Sequence, residues 1–402
     1  MTWPESVSRR LAVGAALTAI AGGMAGWQTP FSGIVLMLDA ALAALLVGLS
    51  VRRVRWLRLA AFNLLPIFLF LAVVETVLLR PDRVVSKAFG DAMTRPDRSL
   101  GYFGVPDASG GLRLVMDDAV LAEGHYHTDA VGRRRTPEGD WPSVAVLGCS
   151  MAFGQLLDDA ATLPWRLGEL SGRRVFNLAV PGYGAHEPLA MLEDDGRWRE
   201  LTDAAPVELV LYLAIDDHVK RTALLAPWEP LYAPHYRIAG DSLVRGGVAG
   251  RLLGFKLLGR LLPNTTLFIR KALFSRGRNV DDRRALRLYL AVVEAMRKRV
   301  EAAGARFVVL FYDSTPESTV LIEALRRQGE MVVPVSSLLA EPLDNCRYVI
   351  PHDSHPAAGV WREAVPHLLE RLALSPGRAD KPAASAPEGR GGRNEEKAQK
   401  SR

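Results

Sequence analysis

The chain has 402 residues, of which 49% are hydrophobic, and a formal net charge of +6. This length and apolar content suffice for one large domain with additional segments. Much of the excess positive charge lies beside apolar segments and in the C-terminal tail, which argues against a nucleic-acid-binding surface. The two cysteines, Cys149 and Cys346, exclude a disulfide-built scaffold and a multi-cysteine zinc site. They leave open one disulfide or two free thiols, and we favour free thiols.

Residues 1–80 are predicted to form a membrane anchor. Three apolar segments, at 11–27, 31–50 and 57–79, each approach the ~20 residues that cross a bilayer core. A cleaved signal peptide would show a single short apolar region. In the alternative interpretation, segment 11–27 lies in the membrane interface and only two segments cross.

Basic residues predict the orientation of this anchor. They precede the first apolar segment and fill the connection between the second and third, whereas residues 28–30 carry no charge. These residues are Arg9, Arg10, Arg52, Arg53, Arg55 and Arg58. Because short loops rich in basic residues stay in the cytoplasm, three crossings place everything after Arg80 outside the cytoplasm. Basic residues also follow the third segment, but long domains are translocated largely regardless of such charges.

Residues 81–140 are mixed and polar, and two short runs in them, at 112–116 and 125–128, are typical of strands. We interpret this region as an extension that packs against the domain following it and helps to shape a cleft. Its residues indicate no chemistry of their own.

From residue 141 the pattern becomes regular α/β. Apolar runs typical of buried strands occur at 144–147, 175–178, 207–213, 307–311 and 331–335. Amphipathic stretches separate them, the clearest at 283–303, which Gly304 ends as a glycine C-cap. Apolar strands alternating with helices indicate a parallel sheet covered on both faces, with ligands bound at the carboxyl ends of its strands.

Two segments depart from this pattern. Residues 221–278 form an insertion, whose apolar and basic stretch at 252–273 is either a packing helix or a lid or membrane-facing surface. Residues 375–402 are rich in Pro, Ala, Gly and charged residues, so they are predicted to be a disordered tail.

A candidate nucleophile lies at the end of the first predicted strand. Gly148-Cys149-Ser150 breaks the apolar run before a helix-like segment. A tight turn at this point lifts the Ser150 hydroxyl out of the edge of the sheet. The first N–H groups of that helix point to the same place, where the helix dipole favours negative charge. Ser150 is therefore a candidate nucleophile and its N–H group a candidate oxyanion donor. The alternative is a loop serine that caps a helix.

A candidate base lies about 200 residues downstream, in the motif Asp353-Ser-His355-Pro. A neutral His355 imidazole can accept the serine proton, and Asp353 can hold its other ring nitrogen. His352 and His355 beside Asp353 could suggest a metal site, but there is no convincing third ligand and we expect none. His186 and His218 lie near strand ends and are expected to line the cleft.

Four short blocks resemble the SGNH/GDSL hydrolases, and in particular their membrane-anchored bacterial type. The blocks are Gly148-Cys149-Ser150, Asn177-Leu-Ala-Val-Pro-Gly182-Tyr-Gly184, Leu213-Ala-Ile-Asp216-Asp-His218 and Asp353-Ser-His355-Pro356. The resemblance covers residues 141–374. It implies a three-layer, flavodoxin-like α/β fold with a five-stranded parallel sheet, and hydrolysis or transfer of ester-linked acyl groups without a cofactor. It also implies that Ser150, His355 and Asp353 are catalytic and that Gly182 belongs to the oxyanion hole.

Two positions depart from the family pattern. The aspartate before the serine is Cys149, which mainly shapes the turn, although Cys149 could itself be proposed as the nucleophile. The oxyanion-hole asparagine falls on Asp216. An ionised carboxylate cannot donate a hydrogen bond, so Asp216 must point elsewhere, be protonated, or leave the oxyanion hole to backbone N–H groups.

The sequence therefore supports two functional hypotheses. The first is a bacterial inner-membrane esterase or O-acyltransferase, whose extracytoplasmic serine site acts on an acylated envelope polysaccharide or lipid. The second is a catalytically degenerate binding module of an envelope polysaccharide machine. A transport role for the membrane segments is disfavoured because they show no internal repeat.

Overall fold

The computed structural model describes residues 32–50, 55–78, 84–223, 233–248 and 283–374. The predicted membrane segment at 11–27, the stretch at 252–273 and the tail at 375–402 lie outside these residues. The described strands are β1 Val84–Gly90, β2 Thr94–Asp97, β3 Gly101–Gly104, β4 Ser109–Met116, β5 Ala119–His127, β6 Asp140–Gly148, β7 Arg173–Asn177, β8 Val207–Ala214, β9 Pro234–Ala239, β10 Ser242–Val248, β11 Arg306–Phe311 and β12 Val332–Pro334. The described α-helices are α1 Ser32–Ser50, α2 Arg55–Leu78, α3 Ser150–Phe153, α4 Leu163–Ser171, α5 His186–Glu193, α6 Asp195–Leu201, α7 His218–Thr222, α8 Arg283–Ala302, α9 Pro316–Arg327 and α10 Ala358–Leu372.

The two N-terminal helices pack against each other, with Met37 of α1 and Ala72 of α2 buried in the shared contact. Among the described residues, one helix is long and apolar enough to cross a membrane: Arg55–Val77, with a mean hydropathy of 2.2. Large apolar side chains of this helix, including Trp56 and Phe70, are exposed. An exposed apolar surface of this kind fits the third predicted membrane segment.

The central sheet consists of five parallel strands in the order β12-β11-β8-β6-β7. The chain starts at β6, moves out to β7, and then returns to place β8 on the other side of β6. This is the flavodoxin-like order, so the expected fold is confirmed. Its topological switch point lies between the carboxyl ends of β6 and β8, where such sheets bind ligands.

Both faces of the sheet are buried, because side chains alternate across each strand. Ala145 and Leu147 of β6 belong to one apolar cluster, together with side chains of α5, α8 and α9. Val144 and Val146 belong to a second cluster on the opposite face, with side chains of α4 and α10. The expected three layers are therefore present.

The region between α2 and β6 contains more regular structure than predicted. Strands β1, β4 and β5 form an antiparallel sheet, and β2 pairs with β3. Strands β4 and β5 match the two predicted runs, whereas β1 to β3 were not predicted. Most side chains of β1 and β2 are exposed, so these strands lack the apolar alternation that identifies a half-buried strand. The hairpin β9–β10 lies inside the predicted insertion.

Candidate active site

The serine turn forms at the carboxyl end of β6. Gly148 has a φ of +150°, and a Cβ there would lie 2.9 Å from the Leu213 carbonyl oxygen, so only glycine fits. The chain then enters α3, whose first residue is Ser150, which is buried. The helix ends after one turn at Gly154, which is left-handed, and α4 begins only at Leu163. The helix-like segment expected after the serine, with Leu163, Leu167 and Leu170 on one face, is therefore present as α4 but separated from Ser150, and the single turn of α3 supplies a smaller dipole than a long helix would.

Asp353 and His355 form a half-buried pair on the loop before α10, with each side chain 15% exposed. The Asp353 carboxylate accepts hydrogen bonds from the His355 Nδ1 atom and, at 2.8 Å, from the His355 backbone N–H. Burial raises the pKa of Asp353, but the bonds from His355 outweigh it and hold that pKa below its usual value. Asp353 is therefore ionised near neutral pH and favours the proton on Nδ1, which leaves the Nε2 atom as the basic nitrogen.

Nε2 of His355 is buried, and no hydrogen bond joins it to Ser150 or to any other side chain in the part of the chain that the structure describes. The loop that carries it is nevertheless packed beside the serine turn. Ile350 shares an apolar cluster with Leu156, which follows α3, and with Leu114 of β4. The structure thus joins Asp353 to His355 and brings their loop to the segment after Ser150, but it does not show the bond between His355 and Ser150.

The loop after β7 carries Gly182. The Val180 N–H group donates to the Gly148 carbonyl oxygen at 3.2 Å, which ties this loop to the serine turn. Gly182 has a φ of +91°, a backbone conformation that favours glycine. A second tie comes from β3, since the Tyr102 hydroxyl donates to the Pro181 carbonyl oxygen at 2.9 Å and the Tyr183 hydroxyl donates to the Tyr102 carbonyl oxygen.

Asp216 follows β8, on the other side of the switch point. Its carboxylate accepts hydrogen bonds from the Thr315 hydroxyl at 2.5 Å and from the Ser318 hydroxyl at 3.0 Å and 3.1 Å. Burial raises the pKa of Asp216, although both hydroxyls oppose that rise. Both carboxylate oxygens are therefore engaged at the start of α9, which supports the alternative in which Asp216 points away from the oxyanion hole.

His186 and His218 lie in the core and do not line an open cleft. Both side chains are fully buried. Nδ1 of His218 lies 2.6 Å from the Tyr212 hydroxyl, and Nε2 of His186 lies 3.1 Å from a Glu187 oxygen. Burial, followed by the nearby Arg221 and His186, holds the pKa of His218 well below its usual value. The expectation that they line the cleft is wrong because α5 and α7, which carry them, pack inward on the sheet.

The remaining candidate groups are the two cysteines and His352. Cys149 is buried and Cys346 is exposed, and both are free thiols. His352 is exposed and has a φ of +59°. Within the described ranges, no cluster of three or more histidine, cysteine or acidic side chains could hold a metal ion.

Three side chains that contact the site segments were not singled out from the sequence: Tyr102, Arg134 and Arg221. Arg134 is fully buried and contacts backbone carbonyls of the segment after Ser150. A run of three arginines, 133–135, gives no sign of this, because charge runs are usually solvated surface. Tyr102 and Arg221 likewise contact backbone carbonyls distant in sequence, and such contacts leave no pattern.

Comparison with known proteins gives similarity in structure only. No family model matches the chain, and no curated protein does. One similar solved structure, from Desulfitobacterium hafniense, is described as a lipolytic protein of the G-D-S-L family. It has 12% sequence identity and a TM-score of 0.33, and the match covers 58% of this chain and 97% of that protein's chain. A family two carbohydrate esterase from Cellvibrio japonicus has 12% identity and a TM-score of 0.31, over 72% of this chain and 98% of its own.

A third similar structure, from Bacteroides ovatus, is described as a GDSL-like lipase and has 11% identity and a TM-score of 0.31, over 73% of this chain and 74% of its own. Two of these three descriptions name the GDSL family. The fold assignment itself rests on the strand order of the central sheet.

Proposed function

We propose that the protein is a serine esterase or O-acyltransferase that acts on ester-linked acyl groups. The observation that carries this proposal is the Asp353–His355 pair. An ionised Asp353 fixes the His355 tautomer and leaves Nε2 basic, which is the arrangement a general base for a serine hydroxyl needs. The loop bearing it packs against the segment that follows Ser150.

In the proposed reaction, the Ser150 Oγ atom attacks the ester carbonyl carbon while His355 Nε2 accepts the hydroxyl proton. The tetrahedral intermediate carries a negative oxygen, which the N–H groups of Ser150 and Gly182 stabilise. Collapse expels the alcohol, which takes the proton from His355, and leaves an acyl ester on Ser150. Water or an acceptor hydroxyl then attacks this ester with His355 again as the base. The Ser150–His355 bond would form on substrate binding, as catalytic hydrogen bonds are often long in free enzymes.

The engagement of Asp216 at α9 supports an oxyanion hole made of backbone donors. Loss of one donor costs on the order of 10²–10³-fold in rate, so we expect a slower enzyme than one that has an asparagine there. The same carboxylate favours the second candidate function, a binding module that keeps the fold without catalysis.

The proposed substrate is an acylated envelope polysaccharide or lipid. The N-terminal helices support a membrane-bound enzyme, and the excess of arginines at the predicted cytoplasmic connections supports an extracytoplasmic site. Between hydrolysis and transfer, the only difference is the hydroxyl that attacks the acyl enzyme.

Ester turnover by the full chain in detergent micelles tests this proposal. The wild-type chain should hydrolyse a short-chain nitrophenyl ester, and Ser150→Ala and His355→Gln should each lower kcat by about 10³-fold or more. Cys149→Ala is the matched control, because it alters the neighbouring residue and should keep most of the activity. Folded wild-type protein without turnover on any acyl ester would refute the enzyme, and specific binding of an envelope glycan would then support the binding module.

A further inference from the structure

Arg221 is a buried arginine on the short helix α7, which follows the end of β8. Its residue exposure is 8%. Burying a charge is costly unless partners compensate for it, so a buried arginine here needs a structural or functional reason. In the sequence it merely marks the start of the insertion.

The guanidinium of Arg221 contacts the three chain segments that meet at the site. It donates to the Tyr183 carbonyl oxygen at 3.1 Å, lies 3.5 Å from a carboxylate oxygen of Asp217, and lies beside the Cys149 side chain, which contributes to its pKa. Each residue that Arg221 contacts is adjacent in sequence to a residue at one of the three oxyanion-hole positions of the sequence blocks. Cys149 precedes Ser150, Tyr183 follows Gly182, and Asp217 follows Asp216.

The loop that carries Gly182 packs directly against Arg221. A Cβ added at Gly184 would lie 2.9 Å from the Arg221 Cβ atom, so no larger residue fits between the loop and α7. The next residue is held as well, since the Ala185 N–H group donates to the Thr222 hydroxyl at 3.1 Å. Displacing Arg221 would therefore release the loop whose N–H group is assigned to the oxyanion.

The charge of Arg221 is retained in this buried position. Burial lowers the pKa of Arg221, but the nearby Cys149 and Asp217 together raise it by more than burial lowers it. The guanidinium therefore stays protonated at any working pH. A fixed positive charge stabilises a developing oxyanion, whereas a negative charge such as that of Asp216 opposes it even when the carboxylate oxygens are bonded elsewhere. The two charges lie on consecutive segments, at the end of β8 and on α7.

We propose, on the basis of the proposed function, that Arg221 is a positioning residue with two roles. It holds the serine turn, the Gly182 loop and the end of β8 together, and its positive charge offsets the Asp216 carboxylate that replaces the asparagine donor. The chain thereby keeps an electropositive oxyanion hole without that donor.

A double-mutant cycle in the full chain tests this proposal. Arg221→Met should lower kcat for a short-chain ester by about 10–100-fold with KM within twofold, because the charge acts on the transition state. Arg221→Lys keeps the charge but loses the planar fork, so it should lose less. In an Asp216→Asn background the penalty of Arg221→Met should shrink severalfold, because the opposing charge is gone. Equal penalties in both backgrounds, or an unchanged kcat in Arg221→Met, would overturn the proposal.

A second measurement separates this proposal from the proposed function. Hydrogen exchange of the peptide covering residues 178–185 should accelerate in Arg221→Met and, less strongly, in Arg221→Lys, whether or not the wild-type chain turns over esters. Arg297→Met is the control, because Arg297 pairs with Glu330 away from the site and should leave that peptide unchanged. Unchanged exchange in the folded Arg221 variants would refute the positioning role. Lack of turnover in the wild type alone would refute only the esterase.

Discussion

Arg134 offers the sharpest quantitative prediction, because every N–H group of its guanidinium has an acceptor. Arginine has five such donors. Its side chain is 0% exposed, so water cannot replace a lost partner. The acceptors are Asp159 Oδ1 at 2.7 Å and the carbonyl oxygens of Phe153 at 2.8 Å, Gly154 at 2.7 Å, Leu157 at 2.6 Å and His125 at 3.1 Å.

The substitution Arg134→Lys keeps the charge but offers three donors, so at least two of these buried acceptors lose their partner. Each unsatisfied buried acceptor costs about 1–3 kcal/mol, so two predict a loss of about 2–6 kcal/mol in the free energy of unfolding. At about 2–4 °C per kcal/mol for a domain of this size, that loss lowers Tm by about 4–24 °C. Because two of the carbonyls end the helix that Ser150 begins, kcat should fall as well.

Thermal and denaturant unfolding of the full chain in one detergent measures this effect. Arg113→Lys is the matched control, since Arg113 pairs with Glu123 on the surface, where its side chain is 43% exposed. A pair of that kind is worth about 0–1 kcal/mol. If Arg134→Lys were no more destabilising than Arg113→Lys, the account of Arg134 as a fully satisfied buried donor would be wrong.

Three further substitutions test contacts in and around the site. Tyr102→Phe removes the hydroxyl that holds the Pro181 carbonyl, so kcat should fall severalfold with little change in Tm. Asp353→Asn should lower kcat by up to about 10⁴-fold, because an amide stabilises the wrong tautomer of His355. Burial raises the pKa of Glu330 from 4.5 to about 7. Because the folded state then binds this proton more tightly than the unfolded state, the protein should become less stable as pH rises from 4.5 through 7. Glu330→Gln should abolish that trend when the free energy of unfolding is measured against pH.

Each of these predictions has an outcome that contradicts it. Tyr236→Phe is the control for Tyr102, because it removes a hydroxyl bonded to Glu193 and should leave kcat unchanged. Equal kcat values for the two variants would argue against the loop restraint. Full activity of Asp353→Asn would show that His355 is oriented by another group. An identical pH trend in Glu330→Gln would assign that trend to a different residue.

The fold was largely predictable from the sequence because its signals are local. The apolar runs identified all five parallel strands, and Gly304, with a φ of +79°, closes α8 as predicted. Ser150, Asp353 and His355 stand in short motifs, whose residues are close enough in the chain to be recognised together.

The parts that were missed depend on contacts between distant residues. The break after α3 depends on the left-handed Gly154, and His186 is buried because α5 packs on the sheet; neither is visible in a hydropathy pattern. Arg134 and Tyr102 bind backbone carbonyls, which every residue type carries, so no sequence motif marks their partners. The orientation of Asp216 likewise depends on hydroxyls about 100 residues away, on α9 and just before it.

Covalent labelling of the full chain with a fluorophosphonate tests the central claim, the identity of the nucleophile, most directly. We expect one phosphonyl group on the wild-type protein, mapped by peptide mass spectrometry to Ser150. Labelling should persist in Cys149→Ala and disappear in Ser150→Ala. A label on Cys149 or on another serine, or no label on folded protein, would contradict a serine mechanism centred on Ser150.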